Sequence, residues 1–133
     1  MADDAEPEAA TVAKPAEIKP HLILYSLDRE HTTYSMSAFV TKLHLRLRHG
    51  GVAYENAVGS RDAAPKKKIP YVKFVETGEL MGDSALIVER LIKEGTLEDL
   101  DSGLSPEQRA VDYCLRVMVE DRVYYLVVGC PCL

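Results

Sequence analysis

The residues of this sequence with the clearest capacity for chemistry lie between Lys66 and Ser84. Pro70 opens an apolar segment, Thr77-Gly78 marks a turn, and Asp83-Ser84 precede a helical apolar pattern. A proline, which lacks an N–H, fits the first residue of a strand. An Asp or Ser accepts hydrogen bonds from the free N–H groups at a helix start. A helix N-terminus beside a proline-led strand predicts a binding site for a small anion.

The composition is typical of a globular domain with a real core. The 133 residues are 47% hydrophobic and 28% charged, and the formal net charge of -5 argues against nucleic acid, which attracts basic surfaces. No apolar run is long enough to span a bilayer. The residues after Met1 are acidic, which is not the pattern of a secretory or mitochondrial targeting segment. We therefore expect a cytoplasmic protein with neither nucleic-acid nor membrane partners.

Cysteine usage indicates a reducing compartment. Cys114, Cys130 and Cys132 all lie within the last 20 residues and form no spread, even disulfide framework. No Cys-x-x-Cys motif follows the first predicted strand, which argues against disulfide exchange. Cys130 and Cys132 lack a third and a fourth ligand nearby, so we expect no metal.

Hydrophobic periodicity predicts how the first half of the chain folds. Residues 21–27 form a nearly continuous apolar run, as in a strand buried on both faces. Residues 35–49 repeat apolar side chains at helical steps, with Ser35 as a plausible N-cap and Gly50-Gly51 at the end. Residues 52–58 alternate as a strand. These three elements form a parallel crossover unit, which is right-handed by default.

The next elements complete an α/β domain. Residues 70–76 and 79–81 form a predicted hairpin, and residues 83–94 form a helix that ends before Gly95. The element order is therefore β-α-β-β-β-α, with helices covering a mixed sheet. This is the thioredoxin-like arrangement.

The two ends of the chain differ from this domain. Residues 1–19 are rich in Ala, Pro and Glu and predict a disordered acidic tail, while residues 20–95 form the thioredoxin-like domain. Residues 96–104 are an acidic linker. Residues 105–133 begin with a capped helix, in which Ser105, Pro106 and Gln108 form a capping box with proline at the first helical position. This helix is apolar on nearly two faces, so we expect it to need partner helices.

Taken together, these features resemble the glutathione S-transferase superfamily, and finer features resemble its failed-axon-connections and metaxin branch. The similarity covers about residues 21–128. The segments that carry it are Ser37-Ala38-Phe39-Val40-Thr41-Lys42-Leu43, Tyr54-Glu55, Lys68-Ile69-Pro70-Tyr71, Asp83-Ser84 with Ile87-Val88-Glu89, Leu104 to Val111, and Glu120-Asp121-Arg122-Val123-Tyr124-Tyr125. The fold implied is a thioredoxin-like domain followed by the first helix of an incomplete, truncated all-α C-terminal domain.

The resemblance implies a glutathione site. Pro70 would be cis and would expose the Ile69 backbone to the cysteinyl part of glutathione. Ser84, with Asp83 beside it, would bind the γ-glutamyl carboxylate at the helix N-terminus, and Lys68 or Lys66 would hold the glycyl carboxylate. Two alternatives stay open: Asp83 and Ser84 fit a role as helix caps only, and three adjacent lysines are also typical of a solvated loop.

The resemblance also implies a residue that activates the thiol. Near the end of the first strand and after it, where a hydroxyl would stabilise a thiolate, the candidates are Tyr25, Ser26, Tyr34, Ser35 and Ser37. Ser37 matches the serine of the branch, and Ser35 is the second choice. Both also fit a capping role. Ala38 and Val40 stand where the branch has proline and cysteine, so chemistry from that cysteine is lost. His31 lies in the same loop and also fits a plain surface histidine.

Three functional hypotheses follow. The first is a glutathione transferase in which glutathione, as co-substrate, attacks a small electrophile. The second is a non-catalytic adaptor of the failed-axon-connections or metaxin type, which uses the fold for protein contacts. The third is a fragment that associates with itself through the apolar C-terminal helix, which also makes a homodimer an expectation.

Overall fold

The computed structural model describes residues 19–27, 35 and 37–129 of the 133-residue chain. The predicted acidic tail up to residue 18, His31, and the cysteines at positions 130 and 132 lie outside these residues. Everything said below about structure concerns the described part.

The described chain contains a four-stranded mixed sheet and its covering helices. The elements are β1 (Leu22–Ser26), α1 (Ala38–His49), β2 (Tyr54–Val58), β3 (Tyr71–Phe74), β4 (Leu80–Gly82), α2 (Ser84–Lys93) and α3 (Pro106–Val117), then a π-helical segment (Met118–Val123) and α4 (Tyr124–Gly129). The strand order is β2-β1-β3-β4, with β1 and β2 parallel and the other two pairs antiparallel. The predicted α/β fold and its β-α-β-β-β-α order are confirmed.

The core forms where two helices pack on one face of the sheet. Leu22 and Leu24 of β1 point to this face because alternate side chains of a strand share a side. They pack in one buried cluster whose helical members are Leu43 and Leu47 of α1 and Ile87 and Leu91 of α2. Packing of this kind holds both helix N-termini in fixed positions relative to the sheet.

The opposite face of β1 is less covered than the sequence predicted. A nearly continuous apolar run indicated burial on both faces, but Ile23 and Tyr25 are only half-buried. The reason is that both helices of this domain join the same core cluster. On the other face Tyr71 is buried, and Gly59 approaches it so closely that a Cβ at Gly59 would lie 2.6 Å from Tyr71 Oη.

The glycines that the sequence analysis placed at a helix end and at a turn have these roles in the structure. Gly51 and Gly78 adopt left-handed φ values of 66° and 71°, after α1 and between β3 and β4. The Gly78 N–H donates to the Phe74 carbonyl at 2.8 Å and closes the hairpin. Three of the four predicted strands are longer than their observed counterparts, and the fourth, predicted at 79–81, lies one residue later at Leu80–Gly82, because pairing and not side-chain pattern ends a strand.

The C-terminal helices differ most from the prediction. The Ser105 capping box is present as expected. The single predicted helix is interrupted by the π-helical segment Met118–Val123. The predicted apolar stripe is not buried within the described chain, since Val111, Leu115 and Met118 are 59%, 53% and 50% exposed.

Candidate functional site

Strand register brings the predicted site residues to one edge of the sheet. Tyr25 of β1 is paired with Tyr71 of β3, and Tyr71 is paired with Gly82 of β4. The chain enters β3 from Pro70 and leaves β4 into Asp83-Ser84. The loop that leaves β1 leads to Ser37 at the start of α1. The three predicted segments therefore lie at this edge, although Ser37 and Ser84 are far apart in the sequence.

The first segment is the start of β3. The Ile69-Pro70 peptide bond is cis, with Pro70 buried and Ile69 half-buried. Beside it, the rings of Tyr25 and Tyr71 stack with centroids 4.7 Å apart and an interplanar angle of 7°. This aromatic pair lies next to the proline along the chain, because Tyr71 directly follows Pro70.

The second segment is the start of α2. Asp83 is the N-cap, and its carboxylate accepts hydrogen bonds from the N–H groups of Ala85 at 3.0 Å and Leu86 at 3.4 Å. Its backbone is at φ 79° and ψ 109°, a region that residues other than glycine rarely occupy. Such strain persists only where the surroundings enforce it, and it is often found at functional sites.

Ser84 is the first helical residue of α2 and is buried, with 6% of its surface exposed. It lies at the positive end of the helix dipole. Within the described chain, the capping carboxylate of Asp83 engages the next two N–H groups and not that of Ser84. The Ser84 N–H is therefore one of the helix-start donors that a bound anion can use.

Asp83→Ala is expected to destabilise the domain by about 1–3 kcal/mol, because the cap is lost and alanine is strained at positive φ. Asp83→Asn is the matched control, since asparagine both caps helices and tolerates positive φ. Urea denaturation followed by circular dichroism measures both variants. Equal destabilisation by the two substitutions would contradict this account of the Asp83 side chain.

The third segment holds the two candidate serines, and it corrects the predicted helix start. Ser37, not Ser35, is the N-cap of α1, with its hydroxyl oxygen 3.5 Å from the Val40 N–H that it accepts. The Ser35 hydroxyl oxygen accepts the Ser37 N–H at 3.1 Å. Ser35 lies two residues before this cap, because the hydrogen bond between the Val40 N–H and the Ser37 hydroxyl already closes the first turn of α1. Both oxygens are thus used locally, while each hydroxyl keeps a proton to donate.

The lysine loop completes the predicted site. Lys66 and Lys68 are exposed, and Lys68 directly precedes Ile69. Between them Lys67 adopts a left-handed φ of 53°. The ammonium groups of Lys66 and Lys68 therefore lie in a solvated loop next to the start of β3.

A groove of about 610 Å³ near Ser37 is a feature that sequence reasoning missed. It lies between α1 and the C-terminal helices, and this volume is in the range of small-molecule sites. Its lining residues are Ala38, Phe39, Lys42, Asp112, Leu115, Arg116, Val119, Glu120, Val123 and Tyr124. The helical spacing of the last seven was a signal in the sequence, but nothing there indicated that α1 would face them.

The groove has an apolar floor and a charged rim whose charges are paired. Lys42 forms an ion pair with Glu120, and Arg116 forms one with Asp112. The hydrogen bond to Asp112 is the main reason that the pKa of Arg116 is raised, so this guanidinium stays charged. Two cations and two anions on the rim leave it without net charge.

Two other classes of site find no support among the described residues. In this part of the chain, no group of three or more His, Cys, Asp or Glu side chains is placed to hold a metal ion. None of its helices combines the length and the apolar character that crossing a membrane requires.

Comparison with known proteins agrees with this geometry. A family model for the glutathione S-transferase N-terminal domain matches residues 38–130. Failed axon connections from Drosophila melanogaster is 32% identical over 110 residues, which are 82% of this chain and 26% of that protein. The chain thus spans about a quarter of the length of this relative.

Two solved structures share the fold. One is a glutathione transferase homologue from Burkholderia gl BGR1 with bound glutathione; the TM-score is 0.56 and the identity 16%, over 77% of this chain and 57% of that one. The other is a glutathione S-transferase from Rhodospirillum rubrum F11, with a TM-score of 0.56 and 18% identity over 78% of this chain and 46% of that one. With the family match and the Drosophila relative, the chain belongs to the glutathione S-transferase superfamily, on the branch that includes Failed axon connections.

Proposed function

We propose that this protein binds glutathione at the sheet edge formed by Ile69-Pro70 and Asp83-Ser84 and presents its thiolate to a small electrophile. The observation that carries the proposal is the start of α2. There a strained Asp83 caps the helix in a way that leaves the N–H of buried Ser84 for another acceptor. The bound glutathione in the Burkholderia structure supports the same ligand here.

The γ-glutamyl carboxylate is the anion that fits this helix start. It would accept hydrogen bonds from the Ser84 N–H and hydroxyl, and the dipole of α2 would stabilise its charge. The exposed carboxylate of Asp83 carries the opposite charge to the ammonium group of the same γ-glutamyl residue. Both charges of the γ-glutamyl end would therefore be recognised, the carboxylate by Ser84 and the α2 dipole and the ammonium group by Asp83.

The rest of the tripeptide would lie along the start of β3. The half-buried Ile69 offers its backbone to the cysteinyl residue, in the manner of an added strand. Lys68 is exposed directly before it and would pair with the glycyl carboxylate. Paired in this way, glutathione would direct its thiol toward the start of α1.

The thiol and its reaction partner would meet at Ser37. Its hydroxyl oxygen accepts the Val40 N–H, which leaves the hydroxyl proton to stabilise a thiolate. Ala38 and Phe39, the next two residues, line the groove. An apolar, uncharged electrophile fits a groove with an apolar floor and a neutral rim. Ser35 would support Ser37 through the hydrogen bond between them.

A second candidate is a non-catalytic adaptor that uses the same fold for protein contacts. Two observations favour it. The Ser37 oxygen already caps α1 and the Ser35 oxygen already accepts the Ser37 N–H, and a relative on this branch is Failed axon connections. In this case the exposed apolar side chains of the C-terminal helices, such as Tyr125 and Leu126, would be the contact surface or a homodimer surface.

The proposal includes a division of the chain and a compartment. Residues 20–95 would be the glutathione-binding domain, residues 96–104 a linker, and residues 105–133 a C-terminal helical part. The protein would act in the cytoplasm, where glutathione is abundant and thiols stay reduced.

Titration of glutathione into ¹⁵N-labelled protein tests the proposal. We expect saturable shifts of the backbone amides of Ile69, Asp83 and Ser84. The α-linked tripeptide Glu-Cys-Gly is the matched control, since it has the same composition but places its first carboxylate differently. Dispersed spectra without shifts at these three residues would refute glutathione binding and favour the adaptor. Turnover of an aromatic electrophile then separates a transferase from a protein that only binds.

A further inference from the structure

Two contacts join α1 to the C-terminal helices across the groove. Lys42 of α1 forms an ion pair with Glu120 of the π-helical segment. Phe39 of α1 lies with its ring centroid 5.0 Å from that of Tyr124, at a tilt of 55°. All four side chains line the groove. The side chains that hold α1 and the C-terminal helices together are therefore also lining residues of the groove, so these two contacts set its width.

The π-helical segment makes both contacts available at once. Groove-lining residues recur every four residues, as Asp112, Arg116, Glu120 and Tyr124 and as Leu115, Val119 and Val123. Because a straight α-helix has about 3.6 residues per turn, each four-residue step advances about 40° beyond a full turn. The wider π turn rotates less per residue, so Met118–Val123 counteracts the drift. Glu120 and Tyr124 thereby stay on the side that faces α1.

Little else in the described chain covers this part of the helix. Val119 and Val123, which flank the two contacts, are 51% and 44% exposed. A helix with so few apolar contacts opens locally at low cost. The Lys42–Glu120 pair is consequently well placed to decide how closely the helix lies against α1.

We propose that Glu120 is a positioning residue: through its ion pair with Lys42 it holds the π-helical segment at the distance from α1 at which the groove accepts an apolar ligand. This inference rests on the use of the groove as the electrophile site in the proposed function. Since the Lys42 and Glu120 side chains are 39% and 30% exposed, salt screens the pair only in part.

The experiment measures the affinity of an uncharged fluorescent probe, N-phenyl-1-naphthylamine, for the full chain. Glu120→Gln is expected to weaken binding about threefold, as for loss of a partly exposed ion pair. Asp112→Asn is the matched control: it removes the same charge from the same rim, but its partner Arg116 is on the same helix and keeps Asp101. We expect this control to bind the probe as the wild type does.

The reversed pair, Lys42→Glu with Glu120→Lys, provides a rescue. It is expected to restore most of the affinity, and hydrogen exchange at Met118–Val123 should be faster in Glu120→Gln and return toward normal in the reversed pair. The proposal is overturned if the wild type does not bind the probe, if Glu120→Gln binds like Asp112→Asn, or if reversal gives no rescue. None of these readouts involves glutathione, so failure of the glutathione proposal would be seen separately in the titration.

Discussion

Ser84→Ala is expected to weaken glutathione binding roughly tenfold to a hundredfold, the effect of losing one hydrogen bond to a charged group. Only the hydroxyl is removed, while the backbone N–H and the helix dipole remain. Because Ser84 is buried at the start of α2, water replaces the missing hydroxyl poorly. Isothermal titration calorimetry with glutathione measures the change.

The matched control is Ser102→Ala, an exposed serine between α2 and α3, which should leave the affinity unchanged. Thermal melting of Ser84→Ala should lie close to that of the wild type, because Asp83 and not Ser84 supplies the capping carboxylate. If Ser84→Ala binds glutathione like the wild type, the serine has no ligand role. If it melts much lower, Ser84 is chiefly a structural residue.

Leu43→Ala is expected to lower the free energy of unfolding by about 3–5 kcal/mol, as for other fully buried leucines. Leu43 has no exposed surface and lies in the central cluster with residues of β1 and α2. Its truncation would leave a cavity under the helix that carries Ser37. Urea denaturation followed by far-ultraviolet circular dichroism measures the loss.

Leu45→Ala is the control, two residues along the same helix. Leu45 is 60% exposed, so its truncation should change stability by at most about 0.5 kcal/mol. The pair of variants tests which face of α1 is docked on the sheet. A loss at Leu45 as large as that at Leu43 would contradict the packing of α1 described above.

The α/β fold could be predicted from the sequence because its signals are local. The stripe of Val40, Leu43 and Leu47 sets the buried face of α1, and glycines at positions 51 and 78 have the left-handed φ that ends a helix or closes a hairpin. The incomplete cover over Tyr25 could not be predicted. Strand patterns do not report which face of a sheet receives the helices.

The candidate site was predictable in part for a similar reason. Asp83 and Ser84 follow a capping pattern that one sequence displays, whereas their place beside Pro70 follows from strand register, which is a property of the folded sheet. Whether Ser35 or Ser37 caps α1 depends on where the backbone begins its first helical turn, and in the structure that turn begins at Ser37. The groove depends on a π turn in Met118–Val123 and on the docking of α1 against it, a rare geometry and a tertiary contact that the sequence analysis did not anticipate.

The stacked rings of Tyr25 and Tyr71 give this protein a built-in optical reporter. The chain contains no tryptophan, so tyrosine dominates its near-ultraviolet spectrum. Two rings that are nearly parallel at 4.7 Å couple their transitions, and this pair belongs to the sheet edge of the candidate site, where Tyr71 directly follows Pro70 and is paired with Gly82. Ligand binding at that edge can therefore be followed by near-ultraviolet circular dichroism without any label. A Tyr25→Phe variant identifies the share of the signal that comes from this pair.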